Sequence, residues 1–331
     1  MLDKIIRWSV GNKLLVFIFI LGLIGFGSFS LTQIPIGAVP DVTNNQVQVI
    51  TTSRNLSTED VEKYLTYPIE LEMVNLPGVQ EIRSISKFGL SVVTIVFDDD
   101  LGTYLPRQLI AEKIKSASEK IPAGFGTPEM GPITTGLGEI YQYTLEVKPE
   151  FKNQYSVTDL RTIQDWVVKR QLSGIKGVVE INTWGGYLKQ YEIAITPSKL
   201  KAMNISTTDV FTALENNNSI AGGAYIEKVN QSYFIRAEGK VKALADIENI
   251  VVKNINGMPV YVKNVADVRF GHANRFGAIT GNGEGEKVLG QVMMLKGANS
   301  KQVINDVKAR ISEIQKSLPD GVYINGFLER S

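Results

Sequence analysis

The chain has 331 residues, one histidine and no cysteine, and its 35 basic residues nearly balance 34 acidic ones to leave a formal net charge of +1. The missing cysteines exclude disulfides, thiolate metal ligands and a cysteine nucleophile, and with a single histidine they also exclude the usual zinc sites. The even charge balance argues against nucleic-acid binding, for which a basic surface is expected. A chain of this length allows two or three domains.

The first element is an uncharged apolar run of 18 residues at positions 14–31, LLVFIFILGLIGFGSFSL. A helix of this length spans roughly 27 Å, about the hydrocarbon thickness of a bilayer. Lys4, Arg7 and Lys13 precede the run against a single Asp3, which predicts a cytoplasmic N-terminus and a body on the opposite side of the membrane. A cleaved signal peptide is the alternative, but its apolar core is shorter, about 7–15 residues. We therefore predict a retained membrane anchor.

Two parts of the body repeat each other at a spacing of 99 residues. A serine followed three positions later by an aspartate opens each amphipathic helical pattern and is expected to cap it. A glycine follows each helix, where a left-handed backbone is needed. The matched pairs are Ser57 and Ser156, Asp60 and Asp159, Gly78 and Gly177, and Glu81 and Glu180. The positions predicted to be buried are Val61, Leu65, Ile69 and Met73 in the first helix and Leu160, Ile163, Val168 and Leu172 in the second.

The first copy predicts a ferredoxin-like subdomain, because residues 46–130 follow the order strand–helix–strand–strand–helix–strand. Pro68 lies inside the first helix and is predicted to end or kink it near Tyr67. The second helix has Leu109, Ala111 and Ile114 on its predicted apolar side. The assigned elements are strands at residues 46–52, 82–86 and 90–96 and a helix at 103–120.

The second copy is predicted to be interrupted. It opens with a strand at 141–147, a helix at 158–173 and a hairpin of strands at 178–184 and 191–195, and it closes with a strand at 288–295, a helix at 301–317 and a strand at 321–327. The segment between these halves begins near Pro197 and has its own helix, which runs from Ser206 to Glu215. Together with the anchor, these patterns predict an α+β protein whose second ferredoxin-like subdomain contains an inserted α+β subdomain.

A polar, glycine-containing hairpin is predicted at residues 216–237 of the insertion. It has few apolar residues to bury against its own chain, so we expect it to contact a partner. The residues singled out as contacts are Asn218, Ala224, Tyr225 and Tyr233.

Candidates for chemistry are few, and the sequence predicts no catalytic residue and no cofactor. Asp98, Asp99 and Asp100 form an acidic cluster at a strand end; a solvated turn is the favoured interpretation, and weak attraction of a cation is the alternative. His272 follows a glycine in a loop and is expected to be structural or exposed. Soft-metal ligation by methionine is considered, but core packing is the better interpretation for Met73, Met130, Met203, Met258, Met293 and Met294.

Four stretches resemble the heavy-metal-efflux transporters of the resistance-nodulation-division family. They are residues 39–49 (VPDVTNNQVQV), 76–86 (LPGVQEIRSIS), 129–143 (EMGPITTGLGEIYQY) and 165–170 (DWVVKR). The resemblance extends across the chain. It implies a first transmembrane helix at 1–34, a first porter subdomain at 38–135, a second at 136–187 with 277–329, and a docking subdomain at 188–276 whose hairpin enters a neighbouring protomer.

The resemblance also implies a proton-driven homotrimer of the bacterial inner membrane that exports metal cations with a periplasmic adaptor and an outer-membrane channel. Family members are considerably longer, and this chain ends before their second membrane helix, so it is expected to be inactive alone. No metal ligand can be carried over onto a residue here. Residues 138–143 (GEIYQY) favour the divalent cobalt, zinc and cadmium branch over copper and silver.

Two other classes remain open. One is a single-anchor periplasmic binding or sensor module, and the other is the adaptor of such a pump. An adaptor would show heptads for a long helical hairpin, and the sequence has none. An enzyme is least supported, because no cluster of reactive residues is present.

Overall fold

A computed structural model describes residues 2–33, 42–228, 231–275 and 277–330. The chain divides into two compact units, the first comprising residues 1–151, 164–184 and 289–331 and the second residues 152–163 and 185–288.

The first unit begins with two helices, α1 (Leu2–Gly11) and α2 (Lys13–Gln33). Within the described residues, the stretch Lys13–Leu31 of α2 is long and apolar enough to cross a membrane, and none of it is buried in the structure.

The first sheet has the strand order β2-β3-β1-β4. Its strands are β1 (Gln46–Thr52), β2 (Val79–Lys87), β3 (Leu90–Phe97) and β4 (Pro128–Met130), and the pairs β1–β3, β2–β3 and β1–β4 are antiparallel. A core of buried apolar side chains lies between this sheet and its helices, and it includes Val49, Leu65, Ile69, Ile95 and Ile110.

The helix between β1 and β2, the first of the two repeat helices, consists of α3 (Thr58–Val61), a π-helical turn (Glu62–Thr66) and α4 (Tyr67–Met73). Ser57 caps it as predicted, since its side chain accepts from the backbone N–H of Asp60. Pro68 was predicted to end or kink the helix; the helix does not end there, and its irregularity is a π-helical turn that stops directly before Tyr67. The helix continues to Met73, and the backbone N–H of Tyr67 bonds to the carbonyl of Glu62 five residues back. The wide turn accommodates the proline, which has no N–H to donate.

Helix α5 (Tyr104–Lys120) buries Pro106, Ile110 and Ala117. Leu109 and Ile114 pack against the core as predicted, but Ala111 is exposed. The buried positions fall four, then seven residues apart, and this stripe leaves Ala111 one helical step outside it.

The second sheet has the order β14-β5-β13-β6. Its strands are β5 (Glu139–Val147), β6 (Val178–Trp184), β13 (Val288–Met294) and β14 (Val322–Glu329). Helix α12 (Ser300–Ile314) connects β13 to β14. Strand β6 pairs with β13, from Leu289 opposite Trp184 to Met294 opposite Val178. The predicted hairpin of residues 178–184 with 191–195 is therefore wrong, because strand pairing is decided by contacts more than 100 residues away.

The helix before β6 is built like the first one, from α6 (Val157–Ile163), a π-helical turn (Gln164–Val168) and α7 (Lys169–Leu172). Leu160, Val168 and Leu172 are buried as predicted, but the fourth buried position is Gln164 and not Ile163. Ile163 was predicted to be buried because it is apolar. In the structure Gln164 points inward instead, and its side-chain amide makes hydrogen bonds there.

The second unit contains three two-stranded sheets. β7 (Lys189–Ile195) pairs with β12 (Ala266–His272), β8 (Ile220–Lys228) with β9 (Gln231–Glu238), and β10 (Val251–Ile255) with β11 (Met258–Tyr261). The helices are α8 (Pro197–Ala202), α9 (Thr207–Asn216), α10 (Leu244–Glu248) and α11 (Val262–Val265). Helix α9 has the predicted cap: Ser206 accepts from the N–H of Asp209, whose carboxylate accepts from the N–H of Ser206.

Candidate functional site

The acidic cluster forms a hydrogen-bonded turn. Asp99 accepts from the backbone N–H of Asn45 at 3.2 Å, and Asp98 accepts from Gln80. The amide nitrogen of buried Asn45 donates to the backbone carbonyls of Asp98 and Gly102. These bonds connect the start of β1 to the end of β3 and occupy the carboxylates of Asp98 and Asp99. Weak attraction of a cation at Asp98, Asp99 and Asp100 stays a prediction.

A shallow polar hollow beside this turn is lined by Asn45, Asp99, Thr103 and Lys296. The lysine brings a positive charge to the same hollow, which disfavours a cation there. Across the described ranges, three or more His, Cys, Asp or Glu side chains nowhere come together as a metal site.

The methionines are divided between core and surface. Met73 is fully buried and Met293 nearly so. Met258 is 70% exposed, so the core interpretation is wrong for this residue. It directly follows the tight turn at Asn256 and Gly257, both of which have positive φ, and the turn carries it away from the core.

His272 lies on the surface at the end of β12. Its ring centroid is 4.6 Å from that of Tyr187, and the guanidinium of Arg275 lies 3.8 Å from the Tyr187 ring. Arg275 also pairs with Glu286, and this hydrogen bond raises the pKa of the arginine. The three side chains form a structural stack.

The expectation that the hairpin has few apolar residues is wrong, because the β8–β9 hairpin exposes large apolar side chains on both of its faces. Tyr225 lies opposite Phe234, and Ile226 lies opposite Tyr233. Because successive side chains of a strand point to opposite faces, each face carries one of these pairs. The four side chains are 57%, 83%, 55% and 54% exposed, respectively. A ribbon that leaves apolar side chains uncovered on both faces is suited to insertion between other protein surfaces.

The base of the hairpin is held by one of the predicted contact residues. Asn218 accepts a hydrogen bond from the backbone N–H of Val241 at 3.2 Å, so its side chain acts locally. Ala224 lies where the strand register shifts, between Gly222 and Tyr225. Its side chain, like residues 229 and 230 at the tip, lies outside the described part of the chain.

Sequence reasoning missed a buried polar pair in the first unit. The Tyr143 hydroxyl donates to the side-chain carbonyl of Gln164 at 3.1 Å, and both residues are fully buried. Burial raises the pKa of Tyr143, so its hydroxyl keeps its proton. The available signal was the four-residue spacing of Leu160, Gln164, Val168 and Leu172, which the 99-residue repeat maps onto Val61, Leu65, Ile69 and Met73.

The sequence model of the AcrB/AcrD/AcrF family matches residues 5–331, and the chain belongs to this family. Among its relatives, Protein HelA of Legionella pneumophila is 46% identical over 97% of the chain and 31% of HelA. The cobalt-zinc-cadmium resistance protein CzcA of Cupriavidus metallidurans is 42% identical over the whole chain and 31% of that protein. Cation efflux system protein CusA of Escherichia coli K12 is 37% identical over the whole chain and 31% of that protein.

Comparison of the fold with solved structures also identifies a transporter as similar. An X-ray crystal structure of a heavy metal efflux pump (crystal form II) superposes with a TM-score of 0.88 at 30% identity, covering 98% of this chain and 32% of the pump. The predicted resemblance to heavy-metal-efflux transporters is confirmed, and these relatives are transporters, not enzymes. The chain spans about a third of the length of the relatives that it matches.

Proposed function

We propose that the chain is the N-terminal part of a proton-driven heavy-metal cation efflux pump of the bacterial inner membrane. In this proposal it supplies the first membrane helix and part of the porter and docking regions, and it is inactive alone. The observation that carries the proposal is the superposition of nearly the whole chain on a heavy metal efflux pump.

Two ferredoxin-like porter subdomains are part of this proposal. Relative to chain order, the strands of both four-stranded sheets are arranged second, third, first, fourth. This is the strand order that a βαββαβ unit produces when its two helices cover one face of the sheet. The proposed boundaries remain 38–135 for the first subdomain, 136–187 with 277–329 for the second, 188–276 for the docking subdomain and 1–34 for the anchor.

The anchor has a direct test. With α2 across the membrane and the N-terminus in the cytoplasm, a reporter fused after Ser331 lies in the periplasm. Alkaline phosphatase fused there is expected to be active, and a fluorescent protein that matures only in the cytoplasm is expected to be dark. The opposite pattern would overturn the proposed topology.

The hairpin of residues 216–237 is proposed to enter the docking region of an adjacent protomer in a homotrimer. Its two uncovered faces support insertion, because burying the Tyr225–Phe234 and Ile226–Tyr233 pairs removes apolar area from water on both sides. The neighbour that receives it is another copy of the same pump.

The hairpin is tested in a full-length pump that carries this segment. Deletion of residues 224–233, or the double substitution of Tyr233→Ser and Phe234→Ser, is expected to reduce the trimer fraction in size-exclusion chromatography with light scattering. Met258→Ser is the matched control, because Met258 is an equally exposed apolar side chain at another turn of the same unit. An unchanged trimer fraction in the hairpin variants would count against docking, as would an equal loss in the control.

The cargo is proposed to be a divalent cation such as cobalt, zinc or cadmium, with a periplasmic adaptor and an outer-membrane channel as partners. Support comes from the higher identity to the cobalt-zinc-cadmium resistance protein, 42%, than to CusA, 37%. A metal-sensitive host that expresses the full-length pump is expected to gain tolerance to zinc, cobalt or cadmium, and a gain confined to copper and silver would reverse the assignment.

A further inference from the structure

Helix α1 and the membrane anchor α2 are together longer than the hydrocarbon layer is thick. Residues 2–33 are helical apart from Asn12, and 32 residues of helix extend roughly 48 Å, against about 30 Å of hydrocarbon. The apolar run begins at Leu14, so the ten residues of α1 lie outside the membrane core. They are nevertheless rich in apolar side chains.

Helix α1 divides cleanly into two faces. At 100° per residue, one side collects Leu2, Ile5, Ile6, Ser9 and Val10, and the other collects Asp3, Lys4, Arg7, Trp8 and Gly11. The side chains of Ile6 and Val10 on the apolar face are 55% and 62% exposed, so this part of the face is largely uncovered. A helix with these properties is typical of those that lie at a membrane surface.

A joint separates α1 from the anchor. Gly11 ends α1, and the side-chain amide of Asn12 donates to the carbonyl of Trp8 at 3.0 Å, the same carbonyl that accepts from the backbone N–H of Asn12. The backbone bonds of Asn12 are kept, since its carbonyl also accepts from the N–H of Val16 at 3.2 Å. A glycine beside a side chain that bonds to the carbonyl four residues back nevertheless makes this point the weakest in the helix and the place where it is expected to bend. The joint lies two residues before the apolar run, at the level where the membrane surface is expected.

We propose that α1 lies along the cytoplasmic membrane surface as an interfacial helix whose basic face binds the headgroups of anionic phospholipids. Lys4, Arg7 and Lys13 against Asp3 give this segment a net positive charge, which complements an anionic leaflet. Trp8 lies by helical spacing at the edge between the two faces, the position that tryptophan favours at a membrane interface. The proposal rests on the anchor assigned under the proposed function.

The orientation of α1 is tested by site-directed spin labelling of the full 331-residue chain in lipid nanodiscs, because the chain has no cysteine and every label is unique. Labels at Ile6→Cys and Val10→Cys are expected to collide more with oxygen than with a water-soluble nickel chelate. Labels at Lys4→Cys and Gly11→Cys, which lie on the opposite side of the helix by its spacing, are expected to show the reverse. Equal, nickel-dominated access at all four positions would mean that α1 stands in water and would overturn the proposal.

A label at Ile20→Cys in the middle of α2 separates failure of this inference from failure of the anchor. Lipid access at position 20 with no periodicity in α1 overturns only the surface helix. Water access at position 20 overturns the anchor, and the surface helix with it.

The headgroup preference is tested by comparing nanodiscs of phosphatidylcholine with nanodiscs that also contain phosphatidylglycerol. The surface-bound fraction of the Val10 label is expected to rise with phosphatidylglycerol. Replacing Lys4 and Arg7 by glutamine is expected to lower the surface-binding constant about five-fold for each charge removed. The control is the double substitution Lys152→Gln with Lys316→Gln, which removes the same number of positive charges from exposed positions outside α1. An anionic preference that survives the α1 substitutions, or that falls equally in the control, would overturn the role of the basic face.

Discussion

At the scale of single residues, the two halves of the repeat differ in polarity at one buried position. Position 65 of the first helix is a buried leucine, and the matched position 164 of the second is a buried glutamine. Gln164 is accommodated because Tyr143 supplies a partner, and Tyr143 fits because Gly290 leaves space, since a Cβ at position 290 would lie 2.2 Å from the tyrosine ring. A polar group in a core is tolerated when its hydrogen bonds are made.

The first prediction concerns this pair. Gln164→Leu is expected to lower the free energy of unfolding by about 1–3 kcal/mol, because it leaves the Tyr143 hydroxyl buried without its partner. Adding Tyr143→Phe is expected to restore part of the loss, since both ends of the bond are then apolar. The measurement is urea unfolding of the full chain in detergent, followed by circular dichroism. Strictly additive effects of the two substitutions would contradict the coupling.

A second residue-scale prediction concerns the loss of stability at acid pH. Glu72 on α4 pairs with Lys120 and, at 3.8 Å, with Lys113. The hydrogen bond from Lys120 and the two positive charges lower the pKa of Glu72. A lowered pKa in the folded state means that the pair contributes stability above the ordinary pKa of a glutamate, and that this contribution is lost as the pH falls through the folded value.

Glu72→Gln is therefore expected to be less stable than the parent at pH 7, and the two are expected to converge toward pH 3. The measurement is urea unfolding across this pH range. Glu112→Gln, on the exposed side of α5, serves as the control and should follow the parent at every pH. A difference for Glu72→Gln that stays constant with pH would show that the charge pair is not its source.

At the scale of elements, the π-helical turns explain how both repeat helices keep one face in the core. Four buried positions in each helix are spaced by four residues, at 61, 65, 69 and 73 and again at 160, 164, 168 and 172, and Thr66 is buried in addition in the first helix. In a regular α-helix each step of four overshoots a turn by about 40°, so three steps would rotate the last side chain by about 120°. A wider turn takes up the excess residues and keeps the four side chains in line.

This account predicts that Pro68 is not the cause of the first π-helical turn, because the second helix makes one with Val167 at the matched position. Pro68→Ala is expected to change the free energy of unfolding by less than about 1 kcal/mol. Deletion of exposed Lys63, which removes the extra residue, is expected to cost 3 kcal/mol or more through misplacement of Ile69 and Met73. A large effect of Pro68→Ala in thermal unfolding, or a mild effect of the deletion, would contradict the account.

At the scale of the whole molecule, the apolar helix and the described body are both poor in groups that could carry an ion. Residues 14–31 carry no ionisable side chain, and proton relays in membranes are built from such groups. In the described ranges the structure brings together no three His, Cys, Asp or Glu side chains that could hold a metal.

We therefore expect the chain expressed alone to give a metal-sensitive host no resistance above an empty vector. Isothermal titration of the purified chain with cobalt, zinc or copper is expected to show no binding tighter than micromolar, because scattered surface carboxylates bind such ions weakly. Resistance, or sub-micromolar binding, would instead support a self-contained binding or sensor module.

Local signals in the sequence were enough for the helix starts, the glycine turns and the long apolar helix. Ser57, Ser156 and Ser206 bond to the N–H three residues on, and Gly78 and Gly177 have φ values of 75° and 87°, as their positions after helices require. These features depend on a few neighbouring residues, so a short window of sequence contains their cause. The same holds for the apolar run, whose length and lack of charge determine where it is stable.

The sequence by itself thus determined the long apolar helix, the repeat and the family resemblance, since each depends on residue order and composition. Only the tertiary structure decided that β6 pairs with β13, that Gln164 rather than Ile163 enters the core, and that both faces of the hairpin are uncovered. The physical reason is that strand pairing and burial are settled by the total free energy of distant contacts, to which a local propensity of a few tenths of a kcal/mol adds little.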